Sequence, residues 1–432
     1  MRILIAGSAS GCGKTTMSMI LMAALRLKGL RVAPCKVGPD YIDTGFHSAV
    51  CGRASYNLDT WLMKPESVRS ALINDADITV IEGVMGYYDG LDARSLKCSS
   101  YEIARLTDTP VLLCVDASGG AASVAATVKG FQTLTNDSRI AGVLVNRVSG
   151  EKHYALVREA VSLYTGLPCL GYLNKQQKLE LPSRQLGLVP AGETEGLQER
   201  VLQAAGRAME MLDLEGILRI AQTAPAVQET DGVNLPDRRG FRLGVARDEA
   251  FHFYYQANLD ALKKCGMELI FFSPLRDRAL PEGLDALYIG GGYPEVFASR
   301  LTENKSMRAC IKGALEKGIK CYAECGGLMY LGSEIDNRTM VGFLPLKSRM
   351  TERLQRFGYV TVEDETGIRF PAHEFHHAEA TALAGAAFAY RVTKASQPDR
   401  SWDCGYKKGN TLAAFAHTYF ADRPELIGRF FG

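Results

Sequence analysis

Residues 3–6, Ile-Leu-Ile-Ala, run straight into Gly7-Ser8-Ala9-Ser10-Gly11-Cys12-Gly13-Lys14-Thr15-Thr16, and an amphipathic stretch, 17–27, follows. No other feature constrains the fold as tightly. A short apolar strand that breaks at glycines and re-emerges as a helix turns backbone N–H groups inward, where they can hold phosphate oxygens. Lys14 is placed to reach β- and γ-phosphates and the Thr15 hydroxyl to ligate Mg²⁺. Gly11, Gly13, Lys14, Thr15 and Thr16 are therefore the nucleotide-binding candidates. The pattern has one departure: the position five residues before Gly13 is Ser8, and the glycine stands one residue earlier, at Gly7. The bland alternative is a plain glycine-rich turn, which has no need of Gly-Lys-Thr-Thr.

Further short apolar runs at 78–81, 111–115 and 140–145 are rich in Val, Ile or Leu and end in Glu, Asp or Asn, with helix-like segments between them. This suits buried strands of a parallel sheet, with function at their C-terminal ends. The alternation lapses between about 220 and 240, a polar stretch bearing Pro and Gly, and restarts with runs at 241–246, 268–272, 286–289 and 319–323. A chain of 432 residues is too long for one core. The expected organisation is an α/β domain at 1–220, a linker at 221–240 and a second α/β domain at 241–432. A net charge of +2 gives no support for nucleic acid or an anionic membrane as partner. No run approaches the roughly 18 apolar residues of a membrane span. The apolar run after Met1 is too short for a secretory signal, and the eleven cysteines are scattered without a CxxC. The reading is a reducing, cytoplasmic compartment with mostly buried free thiols.

Two acidic segments can complete the phosphate site: Lys36-Val37-Gly38-Pro39-Asp40-Tyr41-Ile42-Asp43, and Glu82-Gly83-Val84-Met85-Gly86-Tyr87-Tyr88-Asp89-Gly90 at the end of the 78–81 run. Mg²⁺ takes one or two carboxylates beside phosphate oxygens and water, and Glu82 at a strand end is well placed for that. A single carboxylate is as often a solvated loop charge; four in two glycine-bearing loops favour function. In the second domain Tyr322-Ala323-Glu324-Cys325-Gly326-Gly327 resembles a nucleophile elbow, where a strand-to-helix turn exposes a thiol to the helix N-terminus. His417 is a candidate base, with His373, His376 and His377 competing. His373, Glu374 and His377 also meet HExxH spacing, but Pro371 and Phe375 suggest a strand or loop in place of the helix that a zinc peptidase needs. Gly291 and Gly292, in Gly290-Gly291-Gly292-Tyr293-Pro294-Glu295, can offer backbone N–H groups as an oxyanion hole, or can simply make a tight turn.

Together these motifs resemble cobyrinate a,c-diamide synthase of corrinoid biosynthesis, in the group that also contains cobyric acid synthase. Asn57-Leu58-Asp59-Thr60-Trp61, Gly187-Leu188-Val189-Pro190 and Ala246-Arg247-Asp248-Glu249-Ala250-Phe251 extend the likeness over nearly the whole chain. The displaced glycine of the phosphate loop is shared with dethiobiotin synthetase-like domains. The resemblance implies an N-terminal P-loop domain of that type and a C-terminal class I glutamine amidotransferase-like α/β domain. It implies glutamine, ATP and a tetrapyrrole as small-molecule partners. Cys325 and His417 would release ammonia from glutamine without the usual third acid, since Tyr419 stands where His-x-Glu would place it. ATP would phosphorylate the a and c acetate carboxylates of cobyrinate for amidation. Thr15, Asp43 and Glu82 would bind Mg²⁺, Asp40 and Asp89 would serve substrate activation, and Asn146 would read the adenine. Gln185, where the family usually has His, leaves the tetrapyrrole open: sirohydrochlorin, its nickel form and hydrogenobyrinate compete. A partner-binding P-loop switch ATPase is the reading from another class, and the Cys325 domain argues against it. The oligomeric state stays open, a homodimer included.

Overall fold

The strands of the first half are apolar end to end because both faces of each are covered, as in parallel sheets wrapped by helices. The computed structural model describes residues 1–175, 196–228 and 232–432, and the backbone of 183–184 and 187–188. It divides into two compact units, Met1–Asp231 and Gly232–Gly432. Gln185, Val189 and Pro190 lie outside the described residues.

In the first unit β1 (Arg2–Gly7), α1 (Lys14–Leu27), β2 (Val32–Val37), α2 (Ile42–Cys51), β3 (Tyr56–Leu58), α3 (Pro65–Ser70), β4 (Ile78–Glu82), α4 (Ser100–Leu106), β5 (Val111–Asp116), α5 (Ala122–Thr133), β6 (Ile140–Val148), α6 (Glu151–Thr165) and β7 (Cys169–Asn174) alternate. A short pair, β8 (Ser183–Arg184) and β9 (Gly187–Leu188), precedes α7 (Leu197–Ala208) and α8 (Leu214–Gln222). The seven-stranded sheet has order β3-β2-β4-β1-β5-β6-β7 and every pairing is parallel. β1 lies in the middle, with its chain neighbour β2 displaced by β4, so the chain reverses direction across the sheet there. Ligands of open α/β sheets bind at such a point, beyond the C-terminal strand ends.

The second unit opens with β10 (Arg242–Ala246), α9 (Gln256–Lys264), β11 (Glu268–Phe272), β12 (Ala286–Ile289), α10 (Ala298–Glu303), α11 (Lys305–Glu316), β13 (Lys320–Glu324) and α12 (Gly326–Leu331). A long β region follows: β14 (Glu334–Ile335), β15 (Arg338–Thr339), β16 (Leu346–Met350), β17 (Arg356–Asp364), β18 (Arg369–His376), β19 (Ala378–Ala382), β20 (Ala387–Lys394), β21 (Gln397–Lys408), β22 (Thr411–Ala414) and β23 (His417–Thr418), then α13 (Pro424–Phe431). Ten strands form one sheet, β11-β10-β12-β13-β22-β21-β20-β17-β18-β23. It is parallel from β11 to β22 and antiparallel beyond. Tyr322 stacks on Phe430 at 3.9 Å, which fastens α13 to the sheet under β13.

Candidate active sites

The phosphate loop is braced from β6. Asn146 Nδ2 donates to the Cys12 carbonyl at 2.8 Å, and Arg147 donates to the Gly11 carbonyl at 2.7 Å. A Cβ on Gly13 would lie 1.9 Å from Asn146 Nδ2, and Gly13 has φ 99°, so only glycine fits there. Lys14 Nζ donates to the Ala9 carbonyl at 3.1 Å. The loop after β4 closes against the same edge: Tyr87 N–H donates to the Gly7 carbonyl at 2.8 Å, and the Asp89 carboxylate accepts from Gly86 N–H at 2.9 Å. Asp40 accepts from the Ile42 and Asp43 amides at 2.7 and 2.9 Å, so it fixes the start of α2.

Buried Asp43 and Glu82 and half-buried Thr15 come together in one cluster. The Thr15 hydroxyl donates to Glu82 at 2.6 Å. Lys36, on β2, bridges Glu82 at 2.8 Å and Asp43 at 2.6 Å, and His47 meets the other Glu82 oxygen at 2.7 Å. Burial opposes the charge on Glu82, but Lys36 and His47 outweigh it and hold the carboxyl well below its usual range. Asp43 shares the same ammonium. Burial, then the charge of Asp40, push it up to about 7. Lys36 and His47 were not singled out from the sequence. A lysine inside a buried strand was the available signal, since it requires a carboxylate partner. The adjacent oxygens of Thr15 and Glu82 are hard donors of the kind Mg²⁺ takes, so the cluster fits that ion. Among the described residues no three or more His, Cys, Asp or Glu side chains form a metal cage.

The second site is built at the C-terminal end of β13. Cys325 takes φ 48° and ψ −103° between β13 and α12, a strained turn for a non-glycine residue, and its amide donates to the Ala414 carbonyl at 2.7 Å. The His417 ring lies against Gly291: a Cβ there would come within 2.6 Å of His417 Cε1. A Cβ on Gly326 would stand 3.1 Å from the Gly292 amide nitrogen, so the glycine turn packs directly on the turn that follows Cys325. The Tyr254 hydroxyl accepts from Gly290 N–H at 2.8 Å, and Tyr293 N–H donates at 3.0 Å to the carbonyl of Ala250, whose own loop is fixed by Asp248 accepting from Ala250 and Leu275, both at 2.9 Å.

Burial, then Glu295, push the Cys325 thiol up, while burial and His376 bring His417 down to about 3. Both shifts favour the uncharged forms, a thiol at Cys325 and a neutral imidazole at His417. Glu324, immediately before Cys325, is a residue to which the sequence reading gave no role. Its carboxylate accepts from Tyr322 at 2.8 Å, Tyr288 at 2.9 Å and the Thr418 amide at 2.9 Å, and lies 4.0 Å from His417 Nδ1. Burial pushes it up to about 7. Of the competing histidines, His373 stands opposite His417 in register, and burial brings it down to about 3. His376 stacks on Phe415 at 3.9 Å and His377 contacts the Thr351 carbonyl at 3.2 Å. His373-Glu374-Phe375-His376 lies on strand β18, so the helix required by a zinc peptidase is absent there.

Residues 3–189 match the family model described as CobQ/CobB/MinD/ParA nucleotide binding domain, and residues 242–425 match CobB/CobQ-like glutamine amidotransferase domain. Along its length the chain is similar to proteins named cobyrinate a,c-diamide synthase. It is 42% identical to one from Listeria innocua over 447 residues, covering 100% of this chain and 99% of the relative. It is 42% identical to one from Caldanaerobacter subterraneus, covering 99% and 97%, and 39% identical to one from Salmonella typhimurium, covering 98% and 96%. No helix among the described residues is long and apolar enough to cross a membrane.

Proposed function

Because the chain belongs to the cobyrinate a,c-diamide synthase family, we propose that it converts the a and c acetate carboxylates of cobyrinate to amides, through acyl phosphates and ammonia drawn from glutamine. It is a glutamine-dependent amide ligase with a nucleotide-binding domain. The observation that supports the finer reading is the strained turn at Cys325, followed by Gly326 packed on Gly292, with His417 against the neighbouring Gly291, in a chain that also holds a phosphate loop.

In the second unit the Cys325 thiol passes its proton to the His417 imidazole as sulfur attacks the glutamine carboxamide. The amides of Gly291 and Gly292 would receive the developing oxyanion. The amide nitrogen takes the proton back and leaves as ammonia; water then cleaves the glutamyl thioester to glutamate. In the first unit a substrate carboxylate oxygen attacks the γ-phosphorus of ATP and ADP departs. Ammonia attacks the acyl carbon, and phosphate leaves as the nitrogen loses its proton. Thr15, Glu82 and Asp43 would hold Mg²⁺, which when bound offsets phosphate charge. Asp40 and Asp89 would orient the carboxylate, and Lys14 would hold the phosphates. Asn146, which braces the loop through Cys12, is also placed by the resemblance at the adenine.

The test is amidation with ATP and glutamine, followed by mass spectrometry, offering cobyrinate and sirohydrochlorin to the native protein and to Cys325→Ala. Two added amides on cobyrinate are expected, with the variant active only on free ammonia. Preference for sirohydrochlorin would move the substrate and keep the chemistry; no amidation of either would overturn the reading.

A further inference from the structure

Two consecutive residues of β6 take hold of two consecutive carbonyls of the phosphate loop. Asn146 Nδ2 reaches the Cys12 carbonyl at 2.8 Å, and the Arg147 guanidinium reaches the Gly11 carbonyl at 2.7 Å. A trans peptide sets its C=O and its N–H on opposite sides of one plane, and no peptide bond among the described residues is cis. Capture of the Gly11 carbonyl therefore turns the Cys12 N–H away from Arg147. Capture of the Cys12 carbonyl turns the Gly13 N–H away from Asn146 in the same manner. Neither amide has an acceptor among the described residues. Adjacent N–H groups left without an acceptor in a glycine-bearing loop are the donors that a phosphate needs.

Arg147 is the less expected of the two. Its φ is 59°, a conformation that glycine adopts without cost and a side chain resists. Strain of this kind persists where the surroundings demand it, and here they engage both the side chain and the backbone. One arm of the guanidinium donates to Gly11 and the other pairs with Asp116 at the end of β5. The planar fork serves both partners at once, which the single ammonium of a lysine on its flexible stem does less well. The Arg147 N–H donates to Asn146 Oδ1 at 2.9 Å and so steadies the amide that grips Cys12. The Asn146 carbonyl in turn accepts from Ala117 N–H at 2.9 Å. Arg147 thus joins the ends of β5 and β6 to the phosphate loop.

We propose that Arg147 is a positioning residue for ATP. Anchored on Asp116, it fixes the Gly11 peptide so that the loop amides are set for the nucleotide phosphates before the nucleotide arrives. It acts through the loop, and the proposal rests on the reading of the first unit as the ATP site.

The experiment titrates Mg·ATP into the full chain by calorimetry, which needs no tetrapyrrole. Arg147→Ala is expected to weaken binding about tenfold, the low end for a hydrogen bond from a charged group, because the guanidinium is partly exposed. Arg147→Gly accepts φ 59° without strain and should weaken binding equally, since the guanidinium is what both variants lose. Arg147→Lys should recover part of the affinity. Asp116→Asn should weaken binding in the native background and add nothing to Arg147→Ala, because the anchor then has nothing to hold. In amidation driven by ammonia the loss should appear in KM for ATP and not in kcat. Unfolding temperature without nucleotide, and ammonia release from glutamine, should match the native protein in every variant. Native affinity in Arg147→Ala or in Arg147→Gly, additive losses from the two positions, or a loss matched by a lower nucleotide-free unfolding temperature overturns the positioning role. If the native protein itself binds no Mg·ATP, the nucleotide reading of the first unit fails instead.

Discussion

At the scale of single residues the environment of Cys325, the proposed nucleophile, inverts the usual expectation for a reactive thiol. Burial and nearby carboxylates keep Cys325 protonated, and burial keeps His417 neutral. Proton transfer must then accompany attack, and anything that stabilises the resulting imidazolium accelerates it. Glu324 is the group in place to do so, 4.0 Å from His417 Nδ1 and anchored by Tyr288, Tyr322 and the Thr418 amide. Ammonia release should therefore rise with pH through about 7 as Glu324 ionises. Glu324→Gln should flatten that limb and lower kcat by about 10²-fold, with KM little changed. A stability effect of known sign accompanies it. The folded pKa of about 7 lies above the ordinary 4.5, so between those values the folded protein keeps a proton that the unfolded chain releases. Stability contributed by that proton is lost as pH rises through the window, and the thermal midpoint of Glu324→Gln should lack the decline. In the sequence Cys325 drew notice through its setting among Glu324, Gly326 and Gly327, whereas His417 was one of four candidate histidines. Glu324 was not legible in this role, since its partners come from β12, β13 and β23 and only folding brings them to it.

At the scale of elements, strand β2 shows how much of the first site depends on a residue with no catalytic look. Lys36 is the shared counter-charge of Glu82 and Asp43, at 2.8 and 2.6 Å, and all three are buried. The sequence drew attention to the two carboxylates because glycine-bearing segments lie beside them, and the structure puts Asp43 in the first turn of α2 and Glu82 at the end of β4. The sequence did not supply the order of β2 beside β4, which alone carries Lys36 to Glu82. Removing the cation leaves two buried carboxylates facing each other. Lys36→Met is expected to cost about 3–5 kcal/mol of stability, the usual penalty for breaking a buried pair by one partner. Chemical denaturation would measure it, and the loss should shrink below pH 7, where Asp43 takes up a proton. The strands beyond β22 were equally hidden. β20 and β21 bury only part of their length and expose charged residues, so no continuous apolar run marks them.

At the scale of the whole molecule, two α/β units follow one another, each with its own buried core. The tandem alternation of apolar runs was readable because parallel strands advertise themselves by continuous burial. Two cores, one holding the phosphate loop and the other the nucleophile, allow the half-reactions to be disabled one at a time. Gly13→Ala is the sharpest probe on the ATP side. The added Cβ would overlap Asn146 Nδ2 at 1.9 Å and would force alanine to φ 99°, so the loop must leave its brace on β6. ATP-dependent amidation should disappear with either glutamine or ammonia as nitrogen donor, whereas ammonia release from glutamine should persist, because Cys325, His417 and Glu324 draw every described contact from the second unit. Cys325→Ala gives the converse, losing glutamine and keeping ammonia. The nucleotide provides a check that needs no turnover: Mg·ATP should raise the unfolding temperature of native protein and of Cys325→Ala alike, since a ligand stabilises the fold that binds it by RT ln(1 + [L]/Kd). Gly13→Ala should show no such rise. A rise in that variant equal to the native one would mean that the loop tolerates the Cβ and that the brace between Asn146 and Cys12 is not what shapes the nucleotide site.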